Sequence, residues 1–150
     1  MILTLETPNF GVLNRHDSLP WWEGSVTVGG RSVAFSLAQE YFEEDKLATE
    51  KQVLNAYSEL EETLNLLISM EPTLRNVVAE RMAEPVADWH HEDEGEINPK
   101  TLHSKMRLSH INLFIDSDHV VSYQVDSIPS PYGITLVLDN ALNIIDVTAS

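Results

Sequence analysis

The sequence predicts an α+β fold: an antiparallel β-sheet, made of an N-terminal hairpin and a C-terminal meander, with two consecutive helices packed on one face. Three observations carry that expectation. Apolar and polar residues alternate on either side of Gly29-Gly30, apolar residues recur every three or four positions between 47 and 82, and alternation returns between 108 and 147. Strands, helices and strands in separate runs mark α+β rather than interleaved α/β. A chain of 150 residues fits one domain, 1–150, and no internal repeat or linker composition divides it.

The first third reads as β. Phe10-Gly11-Val12-Leu13 is a short apolar segment that runs into the polar residues 14–18. Residues 22–28 alternate weakly, Gly29-Gly30 follows, and residues 31–37 alternate strictly. Two such runs joined by Gly-Gly predict a hairpin, because tight hairpin turns need positive φ. Val33, Phe35 and Leu37 should face the core. The neighbours Trp21 and Trp22 would face opposite sides of a strand, one in the core and the other available as an interface aromatic.

The middle third reads as helix. Glu43, Glu44 and Asp45 place negative charge where a helix N-terminus favours it. Val53, Leu54, Tyr57, Leu60, Leu64, Leu67 and Ile68 form one apolar stripe. Pro72 predicts a break, because the residue before proline resists helical angles, and a proline can itself open a second helix. Leu74, Val77, Val78 and Met82 continue a shorter stripe as far as Pro85. The expectation is two helices, near 46–70 and 72–84, followed by an irregular stretch over 86–103. Its acidic run, His90-His91-Glu92-Asp93-Glu94-Gly95-Glu96, has little to bury and reads as a solvated loop.

The last third returns to β. Ile111, Leu113 and Ile115 alternate with polar neighbours, Asp116-Ser117-Asp118 turns the chain, and Val121, Tyr123 and Val125 alternate again. After a loop over 127–133, Ile134, Leu136 and Leu138 form another strand, Asp139-Asn140 turns, and 142–147 is the last.

Charge is the strongest global signal. Nine Lys and Arg face 24 Asp and Glu, for a formal net charge of −15. Such a surface repels nucleic acid and anionic lipid and steers a basic protein toward it. The chain has no cysteine, which excludes disulfide and thiolate chemistry. Met1 to Glu6 lacks the basic region of a signal peptide, and no apolar run is long enough to span a bilayer. The expected setting is the cytoplasm.

Catalytic signatures are sparse. P-loop, G-x-S-x-G and G-x-G-x-x-G patterns are all absent, and no cofactor is implied. His90 and His91 with the carboxylates that follow are candidate metal ligands, joined by His103. They lack the spacing that sets two ligands on one helical face. Asp116-Ser117-Asp118-His119 departs from a calcium loop at its fifth and sixth positions, Val120 and Val121. His103 and His110, near Lys105 and Arg107, have no spacing that demands acid–base chemistry.

Phe10-Gly11, Trp22-Glu23-Gly24, the Gly29-Gly30 hairpin and the strands from Leu108 to Val147 resemble a group of small bacterial domains of unknown function. Several families in that group are associated with polymorphic toxin systems as immunity proteins. The resemblance implies a non-enzymatic protein that binds and neutralises a basic toxin such as a nuclease, and it carries no catalytic residues. On that expectation the contacts are Glu43, Glu44, Asp45, Glu92, Asp93, Glu94 and Glu96, with Trp21 or Trp22 as an aromatic anchor. The alternatives are a metal-dependent hydrolase or metal-binding regulator built on His90 and His91, and a structural homo-oligomer paired through an edge strand.

Overall fold

The computed structural model describes residues 4–7, 11–15, 21–38, 50–87, 97–114, 118–125 and 132–150. Among these, four strands, two helices and four more strands follow one another: β1 (Thr4–Thr7), β2 (Gly11–Arg15), β3 (Trp21–Val28), β4 (Arg31–Ala38), α1 (Glu50–Ala87), α2 (Pro99–Lys105), β5 (Met106–Phe114), β6 (His119–Val125), β7 (Tyr132–Leu138) and β8 (Ile144–Ala149). The strands form one sheet in sequence order. Each neighbouring pair is antiparallel except β4 and β5, which run parallel in the middle. Two four-stranded meanders therefore meet at a parallel seam, and the helices supply the crossover that a parallel pair needs. The α+β expectation holds, with a fuller N-terminal meander than a hairpin.

The strand faces follow the alternation. Val33, Phe35 and Leu37 of β4 are buried, as are Ile111 and Leu113 of β5, Val121, Tyr123 and Val125 of β6, and Ile134, Leu136 and Leu138 of β7. The register lines these residues up across the sheet, with Phe35 beside Ile111, Ile111 beside Val121 and Val121 beside Leu136. The opposite face carries a polar row, Ser25, Ala34, His110, Ser122, Thr135 and Thr148, each paired with the next. Gly29 and Gly30 have φ of 58° and 80°, so the β3–β4 turn uses the left-handed freedom expected of it. Gly24 answers a different need. A Cβ there would lie 2.7 Å from Leu13 Cδ2 and 2.9 Å from the Phe35 ring, so its bare backbone makes room for both side chains.

The two expected helices, 46–70 and 72–84, are one helix of 38 residues that includes both Pro72 and Pro85. At ~1.5 Å per residue it is about 57 Å long. A proline inside a helix costs about 3 kcal/mol, because it removes one backbone bond and crowds the preceding turn. Pro72 is itself exposed. Leu74, Val78 and Val86 beyond it are all buried, and each contributes roughly 1.5–3 kcal/mol that a helix ended at Pro72 would forfeit. Packing of the stripe outweighs the local rule. The stretch 86–103 also departs from the expected loop: residues 86 and 87 close α1, and Pro99–Lys105 is α2. Asn98 caps α2, its side chain accepting from Thr101 N at 3.0 Å while Thr101 Oγ1 accepts from Asn98 N at 2.8 Å.

At the far edge, β8 spans Ile144–Ala149 rather than 142–147. Leu142 lies in the preceding turn, buried, with a left-handed φ of 64°. Asp139 holds that turn, its Oδ1 accepting from Ala141 N and Asn143 N, both at 2.9 Å. Those bonds to its ionised form, the one from Asn143 foremost, lower the Asp139 pKa. No helix among the described residues is long and apolar enough to cross a membrane.

Candidate functional site

The inward stripe of α1 repeats at four, three, four, three and four residues: Leu60, Leu64, Leu67, Glu71, Leu74, Val78. Five positions are apolar and buried, and the remaining one is a carboxylate that is only 8% exposed. A buried carboxylate needs partners, and α1 supplies the first at i+4. Arg75 Nε donates to Glu71 Oε1 at 2.9 Å. The second comes from the sheet, where the Tyr123 hydroxyl donates to the same oxygen at 3.3 Å. Arg75 is fixed further by a bond from Nη1 to the Met106 carbonyl and by its position 5.3 Å over the Tyr123 ring. Tyr123 is 1% exposed. Burial, then the neighbouring Glu71 charge, drives its pKa above the ordinary value of 10.0.

Glu71 and Arg75 of this cluster form one wall of a cavity of about 380 Å³. The other walls are the β3–β4 turn with Val28, Arg31 and Val33, the start of β5 with Met106 and Leu108, and α2 with His103 and Ser104. The cavity lies where the parallel strands β4 and β5 both begin, with the two helices meeting over it. Arg31 is exposed and His103 half-buried. A second groove of about 340 Å³, between α1 and α2, shares His103 with it.

On the polar face of the sheet, Ser36 is 2% exposed and lies between two β5 side chains. Its hydroxyl donates to Asn112 Oδ1 and is 3.4 Å from His110 Nε2. A nucleophilic serine must give its proton to the histidine. Here the proton is committed to Asn112, and the group reads as a cross-strand polar contact. The nearby end of β5 is closed by His119, 2% exposed, whose Nδ1 accepts from Phe114 N at 3.1 Å. Burial lowers the pKa of His119, against the opposing pull of Asp118 and Asp139.

Of the residues singled out from sequence, Trp22 is in the core at 4% exposure, opposite Leu37. A side chain so placed is not on the surface that a partner would meet. Trp21 belongs to β3, and its side chain lies outside the described residues, as do Glu43, Glu44, Asp45, His90, His91, Glu92, Asp93, Glu94 and Glu96. Among the described residues no group of three His, Cys, Asp or Glu is arranged to hold a metal ion. His103 lines the cavity with Glu71 and Arg75. Sequence reading passed over Glu71, Arg75, Tyr123 and Arg31. The signal was present for one of them: a glutamate at a core position of a four-three repeat, with arginine four residues on.

Comparison with protein-family models, with curated proteins and with solved structures gives no match for this chain.

Proposed function

We propose that this protein is a non-enzymatic binding module that takes a basic protein partner on its acidic surface, in the manner of an immunity protein that covers a basic toxin such as a nuclease. The observation that carries the reading is the outer face of α1. Glu59, Glu62, Glu80 and Glu84 are exposed there, with Arg81 the one exposed cation among the described side chains of that helix. Leu66, half exposed at 50%, lies one turn beyond Glu62 on the same face. An apolar anchor rimmed by carboxylates suits a partner that presents lysines and arginines around an apolar contact. The excess of 24 acidic over nine basic residues extends the same field over the whole chain.

The chemistry at hand supports binding over turnover. The Ser36 hydroxyl is committed to Asn112, and Glu71 is tied to Arg75 and Tyr123. Affinity capture from the native cells at low salt, with wild type and a Glu59→Lys/Glu62→Lys variant side by side, tests the reading. The expected result is one basic protein retained by the wild type, released by salt and lost from the variant. Retention of the same partner by both would remove α1 as the docking face.

A further inference from the structure

We infer that the cavity between the β3–β4 turn, α1 and α2 is a binding site for a small organic monoanion, a carboxylate head on an apolar body. The inference does not depend on the docking of a protein partner.

The charge balance inside the cavity reverses that of the chain. Two of the nine lysines and arginines, Arg31 and Arg75, line it together with His103, against the single carboxylate of Glu71. Glu71 is already engaged, because its Oε1 accepts from both Arg75 and Tyr123. Arg75 is held before any ligand arrives, by Glu71, by the Met106 carbonyl and by the Tyr123 ring. Its Nη2 has no acceptor among the described residues. An arginine fixed on one edge and open on another binds a carboxylate without first losing side-chain freedom. The side chains of Arg31 and His103 likewise make no hydrogen bond or ion pair to a described residue, and both residues line the same space.

The remaining walls set the rest of the ligand. Val28, Val33, Met106 and Leu108 are buried apolar side chains around the cavity. A volume of about 380 Å³ lies within the roughly 300–1,000 Å³ range of small-molecule sites, whose walls are mostly apolar with a few placed polar groups. A multiply charged ligand is disfavoured twice, by Glu71 at the wall and by the net charge of −15 beyond it. A single negative charge with an apolar body satisfies the arginines and fills the pocket.

The test uses the full chain and three probes: 3-phenylpropanoate, its neutral counterpart 3-phenylpropanol, and inorganic phosphate. Binding is read by calorimetry and by backbone amide shifts in NMR. The expected result is saturable binding of 3-phenylpropanoate with a dissociation constant of about 1 mM or tighter, at least about tenfold weaker binding of the alcohol, and shifts centred on Arg31, Arg75 and Met106. Arg31→Gln, at an exposed side chain, leaves the circular dichroism of the fold unchanged and weakens the carboxylate about tenfold. Failure of 3-phenylpropanoate to saturate would overturn the inference. Equal binding of the alcohol, or no effect of Arg31→Gln, would overturn the role of the arginines. Phosphate binding as tightly as the carboxylate would overturn the apolar half of the assignment.

Discussion

Glu71 occupies a core position of α1, and the cost of removing it depends on what is left behind. In Glu71→Leu the stripe becomes apolar throughout, but the Tyr123 hydroxyl, on a residue 1% exposed, loses its acceptor. An orphaned buried donor costs about 1–3 kcal/mol. Arg75 also loses its ion pair, in both Glu71→Leu and the double variant Glu71→Leu/Tyr123→Phe, and keeps the Met106 carbonyl. Tyr123→Phe alone removes the donor and leaves Glu71 with Arg75. Removing both members together leaves no orphaned hydroxyl, so the double variant carries only the loss at Arg75 that it shares with Glu71→Leu. The double variant Glu71→Leu/Tyr123→Phe is therefore expected to be more stable than Glu71→Leu alone, with a coupling energy of about 1–2 kcal/mol. Chemical denaturation followed by far-UV circular dichroism measures all four proteins of the cycle. Thermal midpoints should separate by about 2–4 °C per kcal/mol for a chain of this size. If the two substitutions add within about 0.3 kcal/mol, Tyr123 and Glu71 are not coupled and the argument for the cluster fails.

Other residues give further outcomes. Gly24→Ala should destabilise by about 1–3 kcal/mol, because the new methyl meets Leu13 and the Phe35 ring at under 3.0 Å; the denaturation midpoint reads it, and an unchanged midpoint would show that the contact yields freely. Pro72→Ala restores a backbone bond inside α1 and should raise stability by up to about 3 kcal/mol, measured the same way. His119 has a folded pKa below its ordinary 6.5. The unfolded chain thus takes up a proton there at a higher pH than the native chain does, so the stability contributed is complete above pH 6.5 and is lost as pH falls from there toward the lowered value. His119→Asn keeps an acceptor for Phe114 N and removes the titration, so its stability profile should be flatter over that window. Tyr123 has the opposite sense: its raised pKa makes the fold lose stability as pH climbs past 10.0, and Tyr123→Phe should lessen that alkaline loss in a denaturation series.

Much of the fold was legible because sheet alternation is a local signal. Val121, Tyr123 and Val125, or Ile134, Leu136 and Leu138, declare their buried face within a few residues. The parallel pairing of β4 with β5 is not local, since residues 74–76 positions apart must meet, as Ser36 and Asn112 do. Alternation carries no information about which strand lies next to which. Pro72 misled because a local helix-breaking rule was set above the stripe that continues in phase through Leu74 and Val78. Asn98-Pro99 fell within the stretch expected to be irregular, although Asn at the cap, Pro at the first helical position and Thr101 at the third also spell a helix start. The cavity residues come from β3, β4, α1, α2 and β5, and only folding brings Arg31, Glu71, Arg75 and His103 to one space.

The claim that the acidic surface captures a basic protein is tested most directly by the rate of that capture. With the partner in hand, stopped-flow association should be measured across a series of ionic strengths from about 0.01 M to 1 M, over which the screening length falls from about 30 Å to 3 Å. The account predicts an association rate that drops steeply across the series while dissociation changes little, and a Glu59→Lys/Glu62→Lys variant that is slower at low salt and converges on the wild type at high salt. An association rate that stays constant across the series would contradict it.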